Sequence, residues 1–277
     1  MKLIRRWSVL HHKVALFLLA CALNIEIALA KSPKIASTSL CGDSYLLALA
    51  PQHISHLSWQ SRDPLSLASA AQKNLPQLRD EPEILAKAQT EIILFGPGEG
   101  AHSSAFLSKA NRHGVTLKWG EDFETLKDNA RLIDAALGIK AGDEFIKSLQ
   151  KRLAKIEASR ALRPKILYLS RSGATAGKGT FVDAAIMAAG GANIIQSRGW
   201  HSPDSEILLA LEPDLIITSF FNQGYESLQA RSLRHKSIRD FIKAYPRLDI
   251  PGALWPCAGP NLIDATELIA AKIATLP

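Results

Sequence analysis

Aromatic and basic side chains recur where the predicted strands of this chain end. Such groups stack against flat rings and attract carboxylate or other anionic groups. In open α/β sheets the ends of the strands line the ligand crevice. The pattern therefore predicts a crevice for a large, partly flat ligand. Its lining would come from Trp59, Arg62, Arg79, His102, Trp119, Arg171, Trp200, His201, Phe220, Phe221 and Trp255.

Sequence patterns of catalysis are missing. The chain has no Gly-x-Ser-x-Gly elbow, and the serines after His102 lack a base and an orienting acid at a known spacing. Residues 173–180 resemble a phosphate-binding loop only superficially, because Gly179 follows Lys178 where the motif needs a hydroxyl. We therefore expect a protein that is not an enzyme and has no resident cofactor. The alternative of another class is an exported hydrolase or redox enzyme.

Residues 1–30 have the pattern of a secretory signal peptide. Basic residues precede an apolar run at 14–23, and Ala28-Leu29-Ala30 then forms a small-x-small cleavage site. As a helix this run measures about 15 Å, half of a bilayer core, which favours export over a membrane anchor. We expect a periplasmic protein whose mature chain begins at Lys31. Lipid attachment at Cys21 is the alternative.

Most of the positive charge belongs to this segment. Its removal takes away four basic residues and one acidic residue, which lowers the formal net charge from +7 to +4. No run of Lys and Arg remains, so the sequence does not indicate nucleic-acid binding. Cys41 and Cys257 also remain, and in an oxidising compartment such a pair usually forms a disulfide bond if the fold brings the residues together.

Short strand-like runs alternate with amphipathic stretches, which predicts an α/β fold with mainly parallel sheets. An internal repeat divides the chain, because residues 83–95 match residues 206–218 without a gap. Each copy reads as an acid, a short helix and then a strand, which favours two similar lobes with a cleft between them. The predicted strands cover residues 34–37, 91–95, 115–119, 165–170, 193–196, 214–220 and 252–255.

A helix is predicted for residues 142–161, between the two lobes. Its apolar stripe runs from Phe145 to Ile156, and Pro164 ends it. It is either a rigid strut that joins the lobes or an ordinary surface helix, and periodicity does not separate the two. The predicted organisation is a signal peptide at 1–30, an N-terminal lobe at 31–141, a linking helix at 142–163 and a C-terminal lobe at 164–277.

Several segments of the chain occur in the same order as in the periplasmic substrate-binding proteins of ABC importers for ferric siderophores, haem and vitamin B12, and the chain resembles that family. Residues 33–50 are similar to the opening strand, cleft loop and first helix of that family. Their order carries the resemblance, because no single motif is specific. The other matching segments are residues 56–64, 175–183, 189–194, 206–218 and 261–274.

The resemblance implies a monomeric carrier of two α/β lobes bridged by one long helix. Such a protein would hold an iron chelate or a corrinoid between the lobes and deliver it to the permease dimer of an inner-membrane ABC importer. Glu83 and Glu206, which occupy matching positions of the repeat, would meet arginines of the permease. The alternative is that each acid only complements the N-terminus of a helix.

The resemblance also places Cys41 and Cys257 in the first and last cleft loops, one on each lobe, where many relatives carry other residues. Three interpretations stay open. A disulfide bond could clamp the lobes, or each cysteine could be an inert small side chain. Alternatively, two free thiols could join His102 and His201 as ligands in a haem or metal-ion receptor.

Overall fold

Two parallel β-sheets organise the part of the chain that the computed structural model describes, namely residues 33–158, 163–170, 173–219 and 236–276. The first sheet contains β1 (Ile35–Ser37), β2 (Ile54–Ser58), β3 (Gln77–Leu78), β4 (Ile92–Phe95) and β5 (His113–Thr116). Its strands lie in the order β3-β2-β1-β4-β5 and are parallel throughout. All four residues of β4 are buried, as expected for a strand with both faces covered.

Four helices belong to the first lobe: α1 (Leu40–Leu49), α2 (Pro82–Lys87), α3 (Ser104–Lys109) and α4 (Phe123–Leu137). The Ser39 hydroxyl starts α1 by accepting a hydrogen bond from the amide of Gly42 at 3.2 Å. Gly42 also lets the helix approach β1 closely, since an added Cβ would overlap the side chain of Ser37. The first turn of α1 therefore sits directly on the end of β1.

The helix α5 (Ala141–Ala158) follows and contacts the cores of both lobes. Ile146 packs in the core of the first lobe, whereas Leu149 and Ile156 pack in the core of the second. The helix is about 27 Å long. The predicted helix at 142–161 is thus observed, with residues 159–161 outside the described part, and its shared apolar stripe favours the strut over the ordinary surface helix.

The second sheet contains β6 (Lys165–Ser170), β8 (Ala192–Asn193), β10 (Leu215–Ser219) and β11 (Arg247–Ile250) in the order β11-β10-β6-β8. The strands are parallel, and all five residues of β10 are buried. A short antiparallel ribbon pairs β7 (Thr175–Ala176) with β9 (Trp200–His201). Among the described residues of this lobe, the helices are α6 (Phe181–Ala188), α7 (Ser205–Leu209), α8 (Lys236–Ala244) and α9 (Leu262–Ile273).

The internal repeat folds into equivalent units. Glu83 lies in the first turn of α2, which leads into β4, and Glu206 lies in the first turn of α7, which leads into β10. Both strands are interior strands of their sheets. The α/β class with parallel sheets is confirmed, whereas the lobe boundaries at 31–141, 142–163 and 164–277 stay predictions.

The strand predicted at 252–255 is wrong. Residues Gly252–Leu254 form a 3-10 turn, and the strand of this region is β11, which ends immediately before Pro251. Pro251 has no amide hydrogen for the sheet, and the polar residues of this edge strand hid it from the hydrophobic pattern. The prediction also missed β2, in which Ser55 and His56 interrupt the apolar run.

A disulfide bond joins the two lobes. Cys41, in the first turn of α1, is bonded to Cys257, in the turn that precedes α9, and their Cα atoms are 5.4 Å apart. Of the three interpretations of these cysteines, the structure supports the disulfide bond. This bond therefore connects the lobes at a place separate from α5.

The segment with the predicted signal peptide, residues 1–30, lies outside the described residues, as does Cys21. Within the described ranges, no helix combines the length and the apolar character that crossing a bilayer requires. Export and cleavage before Lys31 therefore stay predictions.

Replacing both Cys41 and Cys257 by Ser should lower the free energy of unfolding by about 5 kcal/mol in the chain-entropy model, because the closed loop is 216 residues long. Urea denaturation of the oxidised wild-type protein and the double variant measures the difference. Reducing the wild-type protein with dithiothreitol should produce the same loss, whereas the variant should not respond. Equal stability of the oxidised protein and the variant would contradict the bond's role.

Candidate binding site between the two sheet edges

The carboxyl edges of the two sheets face each other. The disulfide connects the segment after β1 to the segment after β11. The Glu121 carboxylate, which follows β5, accepts a hydrogen bond from the amide of Phe181 at the start of α6, at 2.9 Å. Asn261 also donates its side-chain amide to the Ser44 hydroxyl at 3.1 Å. Loops that follow strands of both lobes therefore meet at one junction, where α/β proteins bind their ligands.

An aromatic ring and a positive charge lie together at the edge of the first sheet. Trp59 directly follows β2 and is 48% exposed. Arg79 directly follows β3, and its guanidinium carbon is 4.7 Å from the centre of the Trp59 ring. This is the geometry of a cation–π contact. The structure thus brings together two residues that the sequence placed at separate strand ends.

A second indole, Trp119, follows β5 and packs over the loop after β4. Trp119 is 77% exposed, and an added Cβ on Gly98 would be 3.4 Å from its ring. Gly98 has a φ of 82°, in the left-handed region that favours glycine. The Glu99 carboxylate holds this loop by accepting hydrogen bonds from the Thr38 hydroxyl at 2.5 Å and the Gly96 amide at 2.8 Å. The loop under Trp119 is therefore tightly bonded.

The second lobe contributes an aromatic cluster. Trp200 is 43% exposed, and its ring centre lies 5.3 Å from that of Phe181 and 6.0 Å from that of Tyr168. Burial raises the pKa of Tyr168 above its usual value, so its hydroxyl stays protonated in the physiological range. Trp200, on β9, is thus a partly exposed ring supported by two aromatic side chains, and its predicted role as a ligand contact stays a prediction.

Trp255 does not fit the predicted role of a ligand contact. It is only 1% exposed, and its indole nitrogen donates to the Ser219 hydroxyl at 2.9 Å. Its ring lies 5.9 Å from Tyr168 and 6.0 Å from Phe181. Trp255 therefore packs against the buried side of the cluster and presents no surface to a ligand. Its position near a strand end could not reveal this, because burial depends on residues distant in sequence.

Other predicted residues have mixed outcomes. Arg62 is exposed, but its Nε donates to the carbonyl of Lys73 at 3.2 Å and so braces the loop after Trp59. His102 is exposed on the loop after β4. Arg171, Phe220 and Phe221 lie outside the described residues.

The hydrolase alternative gains no support from the serine beside His102. The Ser103 hydroxyl donates to the Asp80 carboxylate at 2.5 Å, and Asp80 also accepts from the Gly100 amide at 2.7 Å. Ser103 is buried and fixes the loop, so its oxygen is not poised as a nucleophile beside a histidine base.

The alternative metal site does not assemble. Its four proposed ligands were Cys41, His102, His201 and Cys257. The two cysteines are bonded to each other, so they are not available as thiolates. His201 lies on β9, and its Nε2 atom is buried without a hydrogen-bond partner in the described part of the chain. Within the same ranges, no three His, Cys, Asp or Glu residues group in a way that could hold a metal ion.

Sequence reasoning missed Asp43, a buried acid in the first turn of α1. Burial raises the pKa of its carboxyl group to about 6, although hydrogen bonds from Ser58 and Ser37 oppose the shift. In sequence it looks like an ordinary acid at a helix N-terminus. Only the packing of α1 against β2 reveals that it lies in the interior.

Several solved structures that are similar to this chain are described as periplasmic binding proteins. The haem-binding protein HutB of Vibrio cholerae has a TM-score of 0.73 and 15% identity, covering 89% of this chain and 100% of its own. A periplasmic haem-binding protein of Pseudomonas aeruginosa has a TM-score of 0.68 and 20% identity, covering 88% of this chain and 94% of its own. The vitamin B12-binding protein BtuF of Vibrio cholerae has a TM-score of 0.61 and 16% identity, covering 87% and 96%.

No protein-family model matches the chain, and no curated protein matches it either. The two lobes with parallel sheets, joined by a long helix, share the fold of these periplasmic binding proteins. The resemblance expected from the sequence is thereby confirmed for the fold.

The two tryptophans Trp119 and Trp255 should respond differently to truncation. Trp119→Ala should change the free energy of unfolding by less than about 0.5 kcal/mol, because the ring is exposed. Trp255→Ala should cost about 3–5 kcal/mol, because it leaves a cavity in the second core. Urea denaturation measures both, and similar values would contradict the division into an exposed edge ring and a core ring.

Proposed function

We propose that this protein is the substrate-binding component of an ABC importer, and that it carries a tetrapyrrole, either haem or a corrinoid, across the periplasm. The observation that carries the proposal is the set of half-exposed or exposed indoles at the facing sheet edges, Trp59 and Trp119 on one lobe and Trp200 on the other. Indoles on both walls suit a ligand with a large flat face.

The charge at the junction supports an anionic periphery on that ligand. Arg79 lies over one face of the Trp59 ring, so a guanidinium and an indole are presented together at this sheet edge. Guanidinium groups bind carboxylates through paired hydrogen bonds, and haem carries two propionates. Solved structures of the same fold are described as binding haem or vitamin B12. These points favour a tetrapyrrole over the siderophore that the sequence also suggested.

The connections between the lobes support delivery without a wide opening motion. The disulfide and α5 tie the lobes at separate places. In addition, Arg152 on α5 donates to Glu267 at 2.7 Å and to Asp264 at 2.5 Å, both on α9. A site held in this way needs little ordering when the ligand binds.

Glu83 and Glu206 are the proposed docking residues for the permease dimer. Both are exposed in the first turns of equivalent helices, α2 and α7. Neither forms an ion pair with another described residue. Two exposed acids at matching positions of the two lobes suit basic groups on a two-fold partner.

Haemin, cyanocobalamin and a ferric catecholate siderophore should be titrated separately into the mature protein while tryptophan fluorescence is followed. We expect quenching by haemin or cyanocobalamin. Arg79→Ala should weaken haemin binding about tenfold, corresponding to about 1.4 kcal/mol for one lost charge-assisted contact. The matched control is Arg131→Ala, which removes an exposed Arg paired with Asp128 on α4. Binding of only the siderophore would overturn the tetrapyrrole assignment, and turnover of a bound ligand would overturn the carrier.

The double reversal of Glu83 and Glu206 to Lys should abolish uptake of the bound ligand into cells and leave its affinity for the purified protein unchanged. The control reverses Glu144, in the first turn of α5, and Glu212, which are both exposed. It changes the net charge by the same amount and should leave uptake intact. Full uptake with the Glu83 and Glu206 reversals would remove the docking assignment.

A further inference from the structure

Asp43 is bonded to the residue that precedes Trp59. Its Oδ1 accepts a hydrogen bond from the Ser58 amide at 2.8 Å, and its Oδ2 accepts from the Ser58 hydroxyl at 2.6 Å. Ser58 is the last residue of β2, so both bonds act on the backbone and the side chain just before the indole. Asp43 itself is fully buried and cannot touch a ligand.

Gln60, the residue after Trp59, is also hydrogen-bonded to the first turn of α1. The Gln60 amide donates to the Ser58 hydroxyl at 3.1 Å, and the Gln60 side-chain oxygen accepts from the Leu40 amide at 3.0 Å. Leu40 is the first residue of α1. The chain on both sides of Trp59 is therefore attached to the first turn of α1, which the disulfide at Cys41 attaches to the second lobe.

We propose that Asp43 is a positioning residue for the ligand site: through Ser58 and Gln60 it fixes the direction in which Trp59 faces the ligand. The assignment rests on the proposed function only in that it takes Trp59 as a ligand contact. It extends the site into the interior of the first lobe, to a residue that neither the sequence pattern nor the exposed surface identifies.

The charge state of Asp43 makes this role measurable. A carboxylate accepts both hydrogen bonds from Ser58, whereas a protonated Oδ2 becomes a donor toward the Ser58 hydroxyl, which reverses that hydrogen bond. The pKa of about 6 brings this change into an accessible pH range. Other titratable groups on the adjoining elements are Tyr45 on α1 itself and His53, His56 and Arg62 around β2. His56 bonds to Ser55, and burial lowers its pKa.

The test uses the mature protein labelled with 5-fluorotryptophan, and each fluorine resonance is assigned by a Trp→Phe variant. In the wild-type protein the Trp59 resonance should shift between pH 7.5 and pH 5 with a midpoint near pH 6, while the Trp200 resonance stays fixed. Asp43→Asn has a donor in place of Oδ2, so at pH 7.5 its Trp59 resonance should match that of the wild-type protein at pH 5. It should not respond to pH.

The second readout is affinity for haemin and cyanocobalamin. For the probe that binds, the affinity at pH 7.5 should fall about tenfold in Asp43→Asn, because the variant alters a hydrogen-bond partner that orients a ligand contact. The wild-type affinity should fall as the pH drops below about 6. The matched control is Asp134→Asn, which alters another buried carboxylate, one that accepts the amides of Gly142 and Asp143 on α5. Neither its Trp59 resonance nor its affinity should change.

The outcomes separate this assignment from the proposed function. A Trp59 resonance that ignores both pH and the Asp43 substitution overturns the positioning role, and the wild-type titration decides this even if the variant does not fold. A shifted resonance with unchanged affinity overturns the link between the direction of Trp59 and binding. If the wild-type protein binds neither probe, the tetrapyrrole function fails, while a shifting resonance still supports the control of Trp59 by Asp43.

Discussion

The attachment of the first turn of α1 to both lobes is the constraint on which the rest of the molecule depends. Cys41 bonds this turn covalently to the segment before α9, and Ser44 bonds to Asn261 on the same side. The same turn reaches inward through Asp43 to the end of β2. One helix turn therefore joins the lobes and also sets the chain that carries an edge indole.

This constraint explains why exposed aromatic rings can persist at the junction. A large exposed ring has no stabilising value for a monomer, yet Trp59, Trp119 and Trp200 are each held on a bonded support. Trp59 is fixed by the network from α1, Trp119 lies over the loop held by Glu99, and Trp200 rests on Tyr168 and Phe181. Rigid supports keep the rings in place before a ligand arrives, which lowers the ordering cost of binding.

Much of the fold followed from local pattern. The strand predicted at 165–170 is β6, and the repeat of acid, helix and strand corresponds to α2 with β4 and α7 with β10. These elements are buried parallel strands and amphipathic helices, whose period is visible in sequence. β2 and β11 were missed because polar residues interrupt or flank them and because their pairing partners, not their own composition, make them strands.

The site was predictable to a smaller extent. Strand-end positions placed Trp59 and Arg79 at the edge of the first sheet, because the carboxyl ends of parallel strands share one edge. Trp200 lies instead on β9 of the short antiparallel ribbon. The same reasoning included Trp255, which is a core residue, and omitted Asp43, which is a buried acid. Both errors have one cause: exposure depends on which elements pack over a residue, and a strand-end position contains no information about that.

By itself the sequence determined the α/β class, the twin lobes of the repeat and the helix between them, because these depend on periodic contacts within a few residues. The tertiary structure alone decided that Cys41 and Cys257 are bonded, that Arg79 lies over Trp59 and that Asp43 accepts a hydrogen bond from Ser58 at the end of β2. These contacts join segments that are distant along the chain. They exist only once the two sheets and α1 have packed.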